Sequence, residues 1–388
     1  MQESEPVRVY YCTQIKTQTR ELLYTIRNKE LAKIAPRMVL YDLAGQPFRV
    51  KGIAHRHYRT EALTTYKYSE LQTMIMLESL SGARVVGNIL TRDKQQIGFI
   101  FCAHPLTSRK PDDDYQDEYL AVKDDFPCAL IDYDALQAGK LKLSGKISGV
   151  MIYRGWMLRP EVYRRFYQLL ADRGIYLLND PEAYEHYHLL PNWYPDIERG
   201  QTPLSYWTKG VTPESISKLI APLKGKYIVK DYVKSRKHEW YDAAYIPDIK
   251  NRDEALRVIN NFIHRQGESL VGGIVLRKFE RLQQVGYHAQ SGMPLSEEYR
   301  LFIFGGTIMT LDDYWLHGEG QGITLEERQW LEQSAQKIAS GLVTLDVTRR
   351  ADGKLIIMEM GDGQVLGLQE LAPRDFYHSL KQQLRLIH

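Results

Sequence analysis

The residues of this chain best placed to do chemistry lie near its C-terminus, in LVTLDVTRRADGKLIIMEMGDGQ, residues 342–364. Val343, Leu345 and Val347 alternate with Thr344, Asp346 and Thr348; Ala351-Asp352-Gly353 supplies turn chemistry, and Leu355, Ile356, Ile357 and Met358 return as a second strand. A β-hairpin follows from that pattern. It carries Asp346 in one strand, Glu359 at the end of the other, and Asp362 three residues on, so three carboxylates are expected at one end of the hairpin. Hard oxygen donors gathered in this way suit Mg²⁺, which keeps several waters and is completed by substrate phosphates. The competing reading is a solvated hairpin whose acids cap turns.

The cations that could complement such a site are spread upstream. Tyr227, Ile228 and Val229 form an apolar strand that delivers Lys230, and a basic loop follows with Lys234, Ser235, Arg236 and Lys237. A lysine leaving a strand beside a basic loop can clamp phosphates from two sides. Arg277 and Arg300 are charges embedded in apolar strands at 273–280 and 298–304; exposed alternation on a one-sided sheet explains either residue taken singly. Arg154 ends an apolar strand at 150–154 and is either paired structurally or held out for an anion.

The elements that position these residues read as α/β followed by α+β. Strand 150–154, a helix opened by Pro160 and stopped at Gly174, and strand 175–178 make a βαβ unit with parallel pairing. Ligands of such units lie off the carboxyl ends of the strands, which places Arg154, Gly155, Trp156, Asn179 and Asp180 at a candidate rim. Thr212 and Pro213 open a helix to about residue 223, a helix from 252 to 265 stops at Gly267, and Thr324 with Glu327 forms a capping box. Upstream, residues 37–58 read as a hairpin around Ala44-Gly45-Gln46, 68–80 as a helix with Leu71, Met74, Ile75 and Leu77 apolar, and 97–103 as a buried strand. His55 and His57 share a strand face without a third metal ligand nearby.

Length and charge set the frame. At 388 residues the chain exceeds one core, and 26% charged with 44% hydrophobic residues describes an ordinary globular protein. Cys12, Cys102 and Cys128 have no CxxC spacing, which argues against a disulfide framework or a zinc ribbon. No signal-like segment and no apolar run of about 18 residues is present, so a cytoplasmic location without membrane contact is expected. Residues 1–110 hold 17 Lys and Arg against 9 Asp and Glu; residues 111–125 hold seven acids and one lysine. The first segment could meet a polyanion such as RNA, although no nucleic-acid motif accompanies the charge, and the second reads as an exposed linker. The expected divisions are a basic α+β accessory domain at 1–110, an acidic linker at 111–130, a βαβ front domain at 131–212 and a catalytic domain at 213–388.

Taken in order, YRGWMLRPEVYRRFYQLL, IVKDYVKSRKHEW, VLRKFERL, EEYRLFIFGG and TLDVTRRADGKLIIMEMGDGQ resemble the ATP-grasp superfamily, and within it the clade named for two arginines and a lysine. The resemblance spans about residues 130–375. It implies an ATP-grasp fold: a βαβ front domain and two α+β subdomains that clasp ATP, here with an added basic α+β N-terminal domain. It also implies roles. Lys230 would touch the α-phosphate and adenine side of ATP, and Lys234 to Lys237 would cover the phosphates. The linking strand with Leu276, Lys278 and Phe279 would offer backbone groups to adenine. Arg277 and Arg300, with Arg154 at the front-domain rim, would approach the reacting groups, and Asp346, Glu359 and Asp362 would hold Mg²⁺. Where the superfamily places Asn two residues after the metal glutamate, this chain has Gly361.

The activity implied is ATP-dependent ligation, in which a carboxylate is phosphorylated and an amine then attacks the acyl-phosphate. Positioning and electrostatics can support that reaction without a covalent nucleophile. Two alternatives remain open at the level of sequence. One is an RNA-directed ligase or RNA-modifying enzyme that uses the basic N-terminal domain. The other is a non-catalytic nucleotide-binding module.

Overall fold

The computed structural model describes the chain from residue 97 onward except 289–291, 314–321, 339–340 and 387–388, with the backbone alone at 312–313 and 385–386; before residue 97 it describes the backbone of seven strands. These are β1 (Tyr11–Lys16), β2 (Glu21–Thr25), β3 (Val39–Tyr41), β4 (Pro47–His55), β5 (Tyr66–Tyr68), β6 (Leu71–Ser79) and β7 (Ile89–Leu90), joined in one sheet by antiparallel pairs. The hairpin expected at 37–58 is β3 and β4. The helix expected at 68–80 is strand β6. LQTMIMLES carries Leu71, Thr73, Ile75 and Leu77 at a spacing of two, and a short apolar run of this kind fits either period until its partners decide. The side chains of this sheet lie outside the described residues, so the basic face expected to meet RNA and the His55/His57 pair are not part of the structural account.

A second sheet of six strands follows: β8 (Ile97–His104), β9 (Thr107–Pro111), β10 (Cys128–Ile131), β11 (Leu143–Ser144), β12 (Gly149–Arg154) and β13 (Ile175–Leu177). Strand β8 is central, parallel to both β10 and β12, and β12 is parallel to β13. Helix α1 (Gln116–Val122) comes before β10, α2 (Tyr133–Gln137) follows it, and α3 (Pro160–Ala171) joins β12 to β13. The domain boundary expected at 110–130 therefore falls inside this sheet. The acidic run is not a linker but a helix and its lead-in: Tyr115, Glu118 and Val122 recur at helical spacing and are buried, while Asp113, Asp114 and Asp117 face out. Acidic residues at a helix N-terminus also meet the positive end of its dipole.

Beyond α4 (Pro181–His188) and the short α5 (Leu190–Trp193), two four-stranded sheets build the rest. The first orders β14 (Ser205–Trp207), β17 (Val275–Lys278), β15 (Tyr227–Lys230) and β16 (Tyr245–Ile246), backed by α6 (Pro213–Ile220) and α7 (Arg252–Gln266). Helix α7 begins on an Asn251 cap and stops at Gly267, whose φ of 50° lies in the left-handed region that glycine tolerates. A separate hairpin, β18 (Gln284–Tyr287) with β19 (Pro294–Ser296), leads into the second sheet. That sheet orders β21 (Thr307–Asp313), β20 (Glu298–Phe304), β22 (Leu342–Arg349) and β23 (Leu355–Asp362). The capping box at Thr324 opens α8 (Leu325–Gln336), and α9 (Pro373–Leu386) returns to the front sheet, where Phe376, Tyr377 and Leu380 enter the same core as Phe99 and Phe101.

Candidate functional site

Strands β22 and β23 set the first row of the site. Register places Arg300 of β20 opposite Asp346 of β22, and Asp346 opposite Glu359 of β23, so one arginine and two carboxylates lie side by side across three strands. A bulge interrupts the ladder just beyond, where Val347 pairs Ile357 and Met358 is left over. Bulges twist a strand and re-aim its side chains, and this one lies between the two carboxylates and the rest of the hairpin.

Those carboxylates look onto a cleft of about 490 Å³ between the two four-stranded sheets. Lys230 lies on its wall and its Nζ donates to Glu359 Oε1 at 2.6 Å. Burial pushes the lysine below its usual range. Burial also works to raise the glutamate, but Lys230 and then Arg277 outweigh it and hold Glu359 below the ordinary carboxylate range. Asp346 accepts a bidentate grip from Arg300, Nε to Oδ1 at 2.8 Å and Nη2 to Oδ2 at 2.7 Å. Burial nevertheless raises the Asp346 carboxyl, and Arg300 opposes that rise.

The sequence-based assignments divide on this geometry. Lys230, Lys237, Arg277, Lys278, Phe279, Asp346 and Glu359 all line the cleft. Lys234 does not; it lines a different cavity. Leu276 is fully buried in the core beneath α7, because alternate residues of β17 face opposite sides of the sheet. The β17 ladder is taken on both flanks, by β14 and β15, and the N–H groups of Lys278 and Phe279 donate to Leu204 and Lys226. Arg277 stands on the cleft wall, but its Nη1 donates to the Met358 carbonyl and its Nη2 to Thr202 Oγ1 at 2.7 Å, leaving a buried Nε without a protein partner. Arg300 sits behind Asp346 rather than on the wall.

Two assignments are corrected outright. Arg154 is 0% exposed and engaged through all three of its nitrogens: Nε and Nη2 grip Glu118 at 2.8 and 2.9 Å, while Nη1 donates to the carbonyls of Gly363, Gln364 and Leu366. It ties the front sheet to the loop after β23 and is sealed away from any substrate in the cleft. Asp362 is likewise 0% exposed and away from the cleft, accepting from Asn179 Nδ2 at 2.5 Å and from the Gln364 N–H at 2.9 Å. Residues three apart on a strand face opposite ways, so Asp362 cannot share the side of Glu359. Burial pushes its carboxyl up to about 6. Gly361 does share that side, but a Cβ there would stand 2.2 Å from Leu366 Cδ1 and 3.1 Å from Thr344 Oγ1.

Trp240, Tyr245 and Glu298 were not foreseen as contributors, whereas Phe279 was. Trp240 and Tyr245 stack with ring centres 5.1 Å apart, Phe279 packs on Tyr245 at 5.2 Å, and all three line the cleft. The stack is made by a single π-helical turn, Trp240–Ala244, that a search for helical or strand periods passes over. Glu298 also lines the cleft, two residues before Arg300 on the same face of β20.

Among the described residues no three His, Cys, Asp or Glu side chains come together closely enough to hold a metal by themselves. Two carboxylates on neighbouring strands still fit Mg²⁺, which takes one or two protein carboxylates and completes its shell with water and phosphate oxygens.

Residues 218–380 match a family described as an ATP-grasp domain, the third family of the clade named for two arginines and a lysine. No curated protein matches the sequence. Among solved structures, a RimK domain protein ATP-grasp from Sphaerobacter thermophilus is 14% identical, with 74% of this chain and 99% of that one covered and a TM-score of 0.49. D-alanyl-alanine synthetase A from Vibrio cholerae is 11% identical, with 76% and 97% covered and a TM-score of 0.49.

Proposed function

Since residues 218–380 form an ATP-grasp domain of the two-arginine, one-lysine clade, we propose that the protein is an ATP-dependent ligase that phosphorylates a carboxylate and joins it to an amine. The observation that supports this most is the meeting, in one cleft, of a buried lysine, a second lysine at 237, two carboxylates and an aromatic stack. Trp240, Tyr245 and Phe279 would take the adenine ring, and Lys230 and Lys237 would take the phosphates. Asp346 and Glu359 would hold Mg²⁺, which when bound neutralises charge on the phosphate oxygens.

The chain's own residues account for orientation. Arg300 holds both oxygens of Asp346 and so fixes the face that the carboxylate turns to the cleft. Lys230 donates to Glu359; phosphate oxygens would compete for the same ammonium protons, and Glu359 would then be able to hold the cation. Arg277 keeps the Met358 carbonyl of the bulge in place and leaves Nε as a donor. In the reaction a carboxylate oxygen attacks the γ-phosphorus and ADP leaves; an amine nitrogen then attacks the acyl carbon and phosphate leaves. Both transition states are stabilised by fixed charge rather than by a nucleophilic side chain.

Incubation of the protein with Mg·ATP and separate small-molecule, peptide and RNA fractions, followed by nucleotide chromatography, tests the reading. ADP and phosphate should form with one carboxylate- and amine-bearing fraction, and Glu359→Gln should abolish them. AMP and pyrophosphate would rule out the acyl-phosphate route, and a wild-type-like Glu359→Gln would remove the site from the reaction.

A further inference from the structure

The cleft proposed for ATP leaves the amine unplaced, and a second cavity lies on the other side of the loop at 234–237. This cavity, of about 900 Å³, opens at the carboxyl ends of β8, β10 and β12, where His104, Asp132 and Trp156 all reach its wall. Its size is that of a pocket for a small organic ligand or a short peptide segment. Carboxylates dominate the lining. Asp112 and Asp132 cap the helical turns that follow them, and Glu118 is held by Arg154. Asp114, Asp117 and Asp134 are exposed, and their carboxylates make no hydrogen bond or ion pair with another described residue. The cations on the wall are Lys234 and, when protonated, His104.

A second feature points to a ligand independently of the charge. Tyr115 lines the cavity and is 8% exposed, yet its hydroxyl makes no hydrogen bond with another described residue. The ring is packed away while the hydroxyl itself is not among the buried unsatisfied atoms, so it reaches the open space of the cavity, where a ligand can supply its partner. Its ring meets Trp156 edge to face, at 5.6 Å, and Trp156 is 41% exposed. Acidic side chains beside an exposed indole and a free phenol match the chemistry that recognises an alkylammonium ion: charge, cation–π attraction and an oxygen acceptor for N–H.

One loop reaches both the cavity and the nucleotide cleft. Lys234 faces the cavity, whereas Ser235 and Lys237 of the same loop face the cleft. Arg300 bridges the two from behind, donating to the Gly367 carbonyl on the cavity side at 2.9 Å and gripping Asp346 on the cleft side.

We propose that this acidic, aromatic cavity binds the amine substrate as a primary alkylammonium, either a free polyamine or a lysine side chain of a peptide. The proposal rests on the ligase reading for what happens next. The ammonium gives one proton to solvent, and its nitrogen forms the C–N bond. The bond from acyl carbon to phosphate oxygen breaks, and a second proton passes to the departing phosphate.

Calorimetry on the full chain without nucleotide, at about 150 mM salt so that loose surface attraction is screened, tests the site with 1,5-diaminopentane, trilysine and, as control, triglutamate. One of the two cations should bind and triglutamate should not; which cation binds separates a free amine from a peptide lysine. A combined Asp114→Asn, Asp117→Asn, Asp134→Asn variant, altered only at exposed positions, should bind that cation at least tenfold more weakly and bind ATP as wild type does. Tyr115→Phe, which removes only the unpartnered hydroxyl, should weaken binding several-fold. Failure of both cations to bind, or equal binding by the triple variant, overturns the site. If the cation binds as expected but no carboxylate ever yields ADP with it, the site stands and the ligase reading falls; amide formation with neither cation bound gives the converse.

Discussion

Arg154 separates a catalytic role from a structural one most sharply. In Arg154→Met the aliphatic volume is kept and every charged contact is lost. Glu118, 6% exposed, would keep only the Tyr377 hydroxyl at 2.6 Å. Stripping one partner from a buried ion pair costs about 3–5 kcal/mol because the survivor is left charged and unpaired. The carbonyls of Gly363, Gln364 and Leu366 lose their donor as well, each at about 1–3 kcal/mol where water cannot replace it. These terms do not add fully, but together they reach at least about 4 kcal/mol, against a whole-domain stability of about 5–15 kcal/mol. Urea unfolding monitored by tryptophan fluorescence should therefore show a large drop in midpoint. Adding Glu118→Gln removes the buried charge and should recover part of the loss, which also provides a folded protein if the single variant does not fold. The folded double variant should bind ATP as wild type does. A single variant within about 1 kcal/mol of wild type, yet inactive, would refute the structural assignment and return Arg154 to the reaction.

Lys230→Met should weaken ATP binding by about 1.5–3 kcal/mol, the range for hydrogen bonds to charged groups, while Glu359→Gln should remove the tightening of ATP binding by Mg²⁺; calorimetry with and without Mg²⁺ reads both, and an unchanged Mg²⁺ effect would count against Glu359. Asp180 caps α4 by accepting the Ala183 N–H at 2.7 Å, and burial pushes its carboxyl up to about 7. A raised folded value means its contribution is fully present below the unfolded value of about 4 and is lost as pH rises to about 7. Asp180→Asn keeps an acceptor for the cap, so its stability relative to wild type should rise between pH 4.5 and 7.5; parallel urea midpoints would show that burial does not govern this group. Gly361→Asn restores the residue common in the superfamily but drives a Cβ against Leu366; it should cost about 1–3 kcal/mol, and Leu366→Ala should relieve much of it, with thermal unfolding as the measure.

The parts of this molecule that were legible in the sequence are those governed by local pattern. The β22–β23 hairpin, the βαβ unit from β12 to β13, the Thr324 capping box and the Gly267 stop each follow from spacing and turn chemistry within one continuous stretch of chain, and each is present. The pairing of Asp346 with Glu359 was legible because a hairpin fixes its own register. Asp362 was misplaced by counting proximity along the chain and not the alternation of faces. Leu276, expected to offer backbone groups, was misplaced because its strand is paired on both flanks, by β14 and β15. The acidic run at 111–125 looked unpackable as a block of charge, yet helical spacing gave Tyr115, Glu118 and Val122 one inward face, and Glu118 found its cation 36 residues away. No local pattern could announce that partner, nor the stack of Trp240 on Tyr245, which depends on a π-helical turn.

The two arginines set aside from direct chemistry, 154 and 300, explain why the carboxylate row is held where it is. Both end on the segment that follows β23: Arg154 on the carbonyls of residues 363, 364 and 366, Arg300 on that of residue 367. Gln364 adds a third tie, with its side-chain oxygen accepting from the Tyr153 N–H at 3.3 Å and its amide donating to the Tyr163 hydroxyl at 2.8 Å. Asn179 adds a fourth, through Asp362 and both the N–H and carbonyl of Leu342. The exit of β23 is thus fixed to β12, to the end of β13 and to β20 at once. Since Glu359 lies three residues before that exit, freedom lost at 362–367 is freedom lost at the carboxylate. A buried arginine costs desolvation that ion pairing alone seldom recovers, and its recurrence on both sides of one short loop is accounted for by the positioning it provides rather than by stability.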